Sequence, residues 1–125
     1  MEKLIAIALG GAAGALLRTS ACSLTERHFS PGFPFGTPLV NVAGSFLIGL
    51  IAGDGAQMNL SPPARDALVV GGLGAFTTFS VFSFDTLTLA SSVGLPHAIG
   101  NIAANVGLAL AATTGGVLLG RALAT

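Results

Sequence analysis

Phe79 and Phe82, two phenylalanines three residues apart, form the sequence pattern that points most directly to chemistry. Positions three apart share one face of a helix, so the two rings would point in similar directions. A phenyl ring has a negative face and a positive edge, and the edge can therefore contact an anion. Ser80 adds a hydroxyl donor next to the first ring. These residues could line a narrow path for a small anion, with ordinary packing or lipid contact as the alternative.

Neutral hydrogen-bonding side chains accompany the two rings in the apolar stretches of the chain. Serine and threonine in membrane helices often bond to their own backbone. Asparagine is harder to satisfy in that way, so Asn41 is either a link between helices or a donor that lines the path. An anion path made from such groups would need no arginine or lysine. The candidates are Asn41, Thr77, Thr78, Ser80, Ser83, Asn101, Asn105, Thr113 and Thr114.

The motifs of common enzymes and metal sites do not occur in this sequence. With one cysteine and two separated histidines, a zinc or iron–sulfur site is not expected. Gly72-Leu73-Gly74 resembles part of a phosphate loop, but no strand precedes it and no lysine follows. The net charge of zero offers no basic surface for nucleic acid. We therefore predict that the protein is not an enzyme and does not bind nucleic acid.

The elements that must position these residues are membrane helices. Of the 125 residues, 52% are hydrophobic and 8% are charged, whereas a soluble domain has roughly 25% charged residues. A helix that crosses a bilayer needs about 20 mostly apolar residues. We predict an all-α membrane protein with one four-helix domain over residues 1–125 and a loop at 23–36. The predicted spans are residues 4–22, 37–55, 64–91 and 96–120.

The third predicted span has an unusual centre, in which Gly71, Gly72 and Gly74 precede Thr77 and Thr78. Glycine and threonine are both weak helix formers. Non-helical backbone in the bilayer is tolerated only where protein buries it or where it lines a water-filled cavity. Broken helices of this kind often present carbonyls or helix ends to ions. The pattern therefore predicts that the third helix is broken.

The basic residues are distributed almost evenly between the two sides of the membrane and therefore hardly determine the orientation of the chain. Lys3, Arg65 and Arg121 would lie on one side, and Arg18 and Arg27 on the other. Because the positive-inside rule acts through such differences, the chain could insert in both orientations and form an antiparallel homodimer. A single orientation, set weakly by Lys3, is the alternative.

The first predicted span has a second interpretation as a secretory signal, because a lysine precedes a short apolar core. Residues 19–22, which read TSAC, also resemble a lipoprotein cleavage site. Arg18, however, interrupts the apolar residues that such a site requires. We favour a membrane span.

Three segments of the chain together resemble the signatures of the Fluc/CrcB fluoride channels. They are residues 10–18, 36–46 and 74–82, which read GGAAGALLR, GTPLVNVAGSF and GAFTTFSVF. The segments occur in the order of the family and extend over most of the chain. The patterns G-T-x-x-V-N-x-x-G and T-T-F-S-x-F are specific when they occur together. The fourth span resembles the family only in being rich in glycine and alanine.

The resemblance implies a channel that passively exports fluoride across the plasma or inner membrane of a prokaryote. It also implies an antiparallel, dual-topology homodimer with two fluoride pores and a structural Na⁺ at the two-fold axis. Membrane lipid would surround this dimer. The implied site residues are Asn41, Phe79 and Phe82 at the pores, Ser80 and Thr113 on a polar track, Arg18 at a vestibule, and Gly74 and Thr77 as carbonyl ligands of Na⁺.

The chain departs from the family pattern at three points. Val81 replaces a usual threonine, Thr19 replaces a common aromatic residue, and the tyrosine of the fourth helix is missing. A small dual-topology drug/proton antiporter is the alternative function. It predicts a carboxylate in the middle of the first span and an aromatic cage, but the chain has neither Tyr nor Trp. A third interpretation is a membrane scaffold in which Asn and Phe only pack helices.

Overall fold

A computed structural model describes residues 1–54 and 59–124 of the chain. Within these residues the regular structure is helical and no strand occurs. The elements in chain order are α1 (Glu2–His28), α2 (Gly36–Asp54), α3 (Pro62–Asp66), the π-helical segment π1 (Ala67–Leu73), α4 (Gly74–Phe76), α5 (Phe79–Ser92), α6 (Leu95–Ile102), the π-helical segment π2 (Ala103–Leu108) and α7 (Ala109–Leu123).

Within the described residues, four helical stretches are long and apolar enough to cross a membrane, which confirms the number of predicted spans. The third stretch combines α3, π1, α4 and α5, and the fourth combines α6, π2 and α7. Most of the large apolar side chains are exposed, as expected for helices surrounded by lipid. The predicted end of the second span at Gly55 lies outside the described residues. The stretches are Glu2–His28, Gly36–Asp54, Pro62–Ser92 and Leu95–Leu123.

The first helix is longer than predicted, because residues 23–28 continue α1 instead of beginning a loop. The hydroxyl of Thr25 is buried and donates to the carbonyl oxygen of Ala21 at 2.6 Å. Arg27 and His28 occupy the last turn. The positive charge of Arg27 interacts favourably with the negative end of the helix dipole there. The non-helical connection therefore begins at Phe29.

The extensive contact between α2 and α7 depends on glycines at the helix crossing. A Cβ atom on Gly49 would overlap the carbonyl oxygen of Thr113, and one on Gly116 would overlap that of Phe46. Small residues of this kind let membrane helices approach closely enough for dispersion to hold them together. The two helices are thus packed backbone against backbone.

Gly116→Ala is expected to lower the stability of the protein by about 1 to 3 kcal/mol, the usual cost of adding a methyl group to a well-packed contact. Gly115→Ala is the matched control, because a Cβ atom there would meet nothing within 4 Å. Both stabilities can be measured by denaturant unfolding in detergent. Equal losses for the two variants would contradict the packing described above.

The glycines of the third stretch are helical, and the interruption is confined to the two threonines that follow them. Gly71 lies in π1 and packs on α1, where its Cβ atom would overlap the carbonyl oxygen of Ile7. Thr77 has φ −85° and ψ 159°, and Thr78 has φ −152° and ψ 120°. Gly71 therefore serves the approach of two helices, while Thr77 and Thr78 carry the extended backbone.

Candidate functional site

Asn41 on α2 bonds both backbone groups of Thr78. Its Oδ1 accepts from the N–H of Thr78 at 2.8 Å, and its Nδ2 donates to the carbonyl oxygen of Thr78 at 3.0 Å. Thr78 is buried and extended, so its backbone would otherwise lack these partners at a considerable energetic cost. One side chain on α2 thereby stabilises the interruption between α4 and α5.

The remaining hydrogen-bonding capacity of Asn41 is directed at the fourth stretch. Its Nδ2 also donates to Oδ1 of Asn105 in π2 at 2.7 Å. An amide group has two N–H donors, and both are now used within the chain. This geometry is that of a link between helices. The role of Asn41 as a donor to an anion stays a prediction, and it would require one of these bonds to be exchanged.

The hydroxyl of Thr78 caps the amino terminus of α5. It accepts from the N–H of Val81 at 3.2 Å and lies 3.3 Å from the hydroxyl oxygen of Ser80. A threonine cap satisfies one of the free N–H groups at a helix start and typically stabilises the helix by about 1 kcal/mol. The first residues of α5 are thus fixed in direction, and these include Phe79.

The rings of Phe79 and Phe82 contact each other edge to face. Their centroids are 5.2 Å apart and their planes are inclined by 73°. Phe82 is buried with 8% of its surface exposed, whereas Phe79 is 76% exposed on this single chain. One ring is held in the helix bundle and the other projects from it. Positive ring edges are therefore available beside the interruption.

A cavity of about 380 Å³ is lined by the interruption and the ring pair together with residues of α2 and of the third and fourth stretches. None of its lining residues is ionisable. Of the predicted site residues, Asn41, Gly74, Thr77, Phe79 and Phe82 line it together. The other lining residues are Gly44, Ser45, Ile48, Val69, Leu73, Thr78, Asn105, Val106 and Ala109.

The backbone around Gly74 and Thr77 departs from helical hydrogen bonding. In a continuous α-helix the N–H of Thr78 would donate to the carbonyl oxygen of Gly74, but here it donates to Asn41. The N–H and hydroxyl of Thr77 both donate to the carbonyl oxygen of Leu73, at 3.1 and 3.0 Å. Carbonyl oxygens released by an unwound helix are groups that suit Na⁺. In the described part of the chain, no cluster of His, Cys, Asp or Glu could hold a metal ion.

The family to which the chain belongs follows from a comparison with known proteins. The family model described as "CrcB-like protein, Camphor Resistance (CrcB)" matches residues 5–117. The chain belongs to the CrcB family. This result confirms the resemblance that the three sequence segments indicated.

Several relatives in the CrcB family carry the name Fluoride-specific ion channel FluC. The protein from Shewanella amazonensis is 46% identical over 110 residues, which are 88% of this chain and 89% of that protein. The protein from Shewanella pealeana is 44% identical with the same coverage of both chains. The protein from Citrifermentans bemidjiense is 42% identical over 124 residues, which are 98% of this chain and 100% of that protein. These relatives are named as channels and not as enzymes, and this chain is a multi-pass membrane protein.

Two of the three segments that resemble the CrcB signatures meet at the cavity, which residues of 36–46 and 74–82 line. Ser80 is exposed and stays beside the cap of α5. Thr113 donates to its own helix at Ala109, 3.0 Å away, while Ala109 itself lines the cavity. Arg18 is half-buried on α1. None of these three residues lines the cavity, and their roles on a polar track or at a vestibule stay predictions.

Sequence reasoning gave Asn105 no specific role among the neutral polar candidates and did not single out Gly44, although both line the cavity of this CrcB protein. Asn105 was recognised only as a neutral polar residue in the fourth span. The signal that could have found it is the spacing of Asn101 and Asn105, four residues apart on one helix face. Gly44 is the last residue of the G-T-x-x-V-N-x-x-G pattern, but the pattern does not show that Thr77 packs on it.

Thr37→Val is expected to lower the stability of the protein by about 1 to 3 kcal/mol, the range for a buried hydrogen bond that loses one partner. The Thr37 hydroxyl is buried and donates to Oδ2 of Asp85 at 2.8 Å, which ties α2 to α5. Thr19→Val is the control, since Thr19 is exposed and bonds only within α1, to Ala15. Thermal unfolding in detergent measures both, and equal shifts would contradict a role for the α2–α5 bond.

Proposed function

We propose that this chain is a fluoride-selective channel that exports F⁻ passively across the cytoplasmic membrane of a prokaryote. The observation that carries the proposal is the cavity between the extended Thr77–Thr78 backbone and the Phe79–Phe82 ring pair. It offers ring edges and neutral polar groups but no fixed charge. The names of the relatives support the same function, since each is called a fluoride-specific ion channel.

The proposed transport needs neither ATP nor protons. Fluoride enters from acidified surroundings as neutral HF, ionises in the cytoplasm and is trapped there as an anion. A selective path for F⁻ lets the membrane potential drive the ion out, because moving one charge through 100 mV is worth about 2.3 kcal/mol. Selectivity against Cl⁻ would follow from a narrow path whose diameter and donors match the smaller ion.

The functional unit that we propose is an antiparallel, dual-topology homodimer in which each chain, residues 1–125, forms one domain with a broken third helix. Phe79 is largely exposed and Gly74 is also exposed on the single chain, so a second copy could cover this face. The balance of basic residues on the two sides of the membrane favours insertion in both orientations. A second copy in the inverted orientation would complete two fluoride pores.

A structural Na⁺ at the two-fold axis is part of the proposal. The carbonyl groups of Gly74 and Thr77 would hold it, two from each chain, and the ion would supply positive charge that stabilises the dimer. Because the ion would be buried, replacing external Na⁺ is expected to leave the fluoride flux unchanged over short times. A flux that followed external Na⁺ promptly and in proportion would instead identify Na⁺ as a transported ion.

Fluoride efflux from liposomes that contain the purified protein tests the proposed function. After a K⁺ gradient and a K⁺ ionophore set the potential, we expect rapid F⁻ efflux and negligible Cl⁻ efflux. Protein-free liposomes supply the background leak. Equal efflux of the two anions, or no efflux above background, would contradict the proposal. Proton-coupled uptake of a cationic drug in the same vesicles would favour the antiporter.

A further inference from the structure

Four polar side chains form a continuous hydrogen-bonded chain that joins α2, π2, α6 and α5. Nδ2 of Asn41 donates to Oδ1 of Asn105 at 2.7 Å, and Nδ2 of Asn105 donates to Oδ1 of Asn101 at 3.1 Å. Nδ2 of Asn101 donates to the hydroxyl oxygen of Thr86 at 2.9 Å. We call Asn41, Asn105, Asn101 and Thr86 the asparagine chain.

Both ends of the asparagine chain finish on the backbone that carries the two phenyl rings. At one end Asn41 bonds the backbone of Thr78, directly before Phe79. At the other end the hydroxyl of Thr86 donates to the carbonyl oxygen of Phe82 at 2.7 Å. The asparagine chain therefore bridges, through the fourth stretch, the two points of α5 where the rings are attached.

Burial makes the asparagine chain sensitive to the loss of any member. Asn101 is fully buried and Asn105 is 6% exposed. Along the asparagine chain each amide group donates to the next member in the direction from Asn41 towards Thr86. No amide group can therefore rotate by half a turn without placing two donors or two acceptors together. Hydrogen bonds in such a series strengthen one another in surroundings of low dielectric constant.

We propose that Asn105 and Asn101 are positioning residues of the anion path, and this proposal rests on the proposed function. They hold the Asn41 amide in the orientation that bonds Thr78, and they thereby fix the start of α5 and the direction of both rings. Asn101 does not line the cavity and acts only through Asn105 and Thr86, whereas Asn105 both holds Asn41 and lines the cavity. The fourth stretch thus controls the conductance of a path whose two rings are carried by α5.

Asn105→Asp tests the proposal, because a carboxyl group at this position acts as a switch. When protonated, it can donate to Asn101 and accept from Asn41, as the amide does. When ionised, it can only accept, and it faces the oxygen of Asn101 with a negative charge. We expect single-channel fluoride currents in planar bilayers to be close to wild type at about pH 5.5 and at least about tenfold smaller at about pH 8, the range over which a carboxyl group in apolar surroundings ionises.

Two other effects of pH are controlled in this experiment, namely the permeation of neutral HF and the ionisation of other side chains. Neutral HF crosses the bilayer at low pH but carries no current, so only ionic conduction is measured. No ionisable residue lines the cavity. Asp85 on α5 is an ionisable group of the same bundle, bonded to Thr37, and it is present in both proteins, so wild type is the control for it. The wild-type current is expected to stay constant between the two pH values.

Two further variants complete the experiment. Asn105→Leu is expected to reduce the single-channel current at least about tenfold at both pH values, because it removes every side-chain hydrogen bond of this residue. Thr114→Val is the control within the fourth stretch, since Thr114 is exposed and bonds only to its own helix, at Leu110. It is expected to conduct like wild type.

The outcomes separate this proposal from the proposed function. If wild-type protein carries no fluoride current, the proposed function fails. If wild type conducts and Asn105→Asp gives the same current at both pH values, whether large or absent, the positioning role is overturned. A pH-dependent current for Asn105→Asp together with a reduced current for Asn105→Leu, which adds no charge to the cavity, supports that role. A current for Asn105→Leu equal to that of wild type overturns it, because the effect of Asn105→Asp is then repulsion of the anion by the carboxylate.

Discussion

Replacement of both Phe79 and Phe82 by isoleucine is expected to reduce fluoride efflux by about tenfold to a hundredfold. Isoleucine keeps the side chains large and apolar but removes the positive ring edges. Contacts between two aromatic rings contribute about 0.5 to 1.5 kcal/mol each, and we expect a similar value for a ring edge that contacts an anion. Tenfold in rate corresponds to about 1.4 kcal/mol. Two rings beside one path therefore account for an effect of this size. Efflux from liposomes at a fixed potential is the measurement.

Phe84→Ile provides the matched control for the ring pair. Phe84 lies on the same helix and is 70% exposed, but it does not line the cavity. Its replacement is expected to leave fluoride efflux unchanged. Because Phe82 is buried, the amount of folded double variant must be determined by size-exclusion chromatography before the rates are compared. Rapid efflux from folded double variant would rule out a role for the ring edges.

The number of spans could be predicted because it depends on local sequence. Apolar stretches of about 20 residues suit only a bilayer. The end of α1 was predicted less well. Residues 23–28 include charged side chains and therefore resemble a loop, but helices commonly extend beyond the apolar region, and Thr25 bonds back to its own helix.

The phenylalanines of the chain form more than one group. Phe29, Phe33 and Phe35 cluster in the connection between the first two spans. Their ring centroids are 5.1 Å apart for Phe29 and Phe35, and 4.8 Å apart for Phe33 and Phe35. Composition counts residue types but does not place them. The pair at 79 and 82 could be recognised because its spacing adds positional information.

The partners of the polar residues could not be predicted, because they are distant in sequence. Asn41 and Asn105 are 64 positions apart, and Asn41 and Thr78 are 37 apart. No local rule connects such positions, so Asn41 could be identified as important without a choice between its two roles. The fold shows which bonds Asn41 makes without an anion. In apolar surroundings its side chain bonds the backbone groups of Thr78 that have no helical partner. Any contact with an anion must compete with those bonds.

Gly44→Ala is expected to reduce fluoride efflux at least about tenfold through the same interruption. A Cβ atom on Gly44 would overlap the Cγ2 methyl group of Thr77. Overpacking of this kind costs about 1 to 3 kcal/mol when the neighbours must move. The neighbour that must move here is the extended residue whose carbonyl we propose as a Na⁺ ligand. The variant should therefore impair the path while α2 itself remains helical.

The double variant Gly44→Ala/Thr77→Ser distinguishes this steric effect from a general loss of folding. Serine keeps the hydroxyl that donates to Leu73 but lacks the methyl group. The nearest remaining atoms, Cδ1 of Phe76 and Cβ of residue 77, would be 3.4 and 3.8 Å from the new Cβ atom, which is ordinary contact. We expect efflux to return to within about threefold of Thr77→Ser alone, which is a coupling of the kind that contacting residues show. If the losses of the two single variants simply add, the alanine acts elsewhere than on Thr77, and the close packing of α2 against the interruption does not control the path.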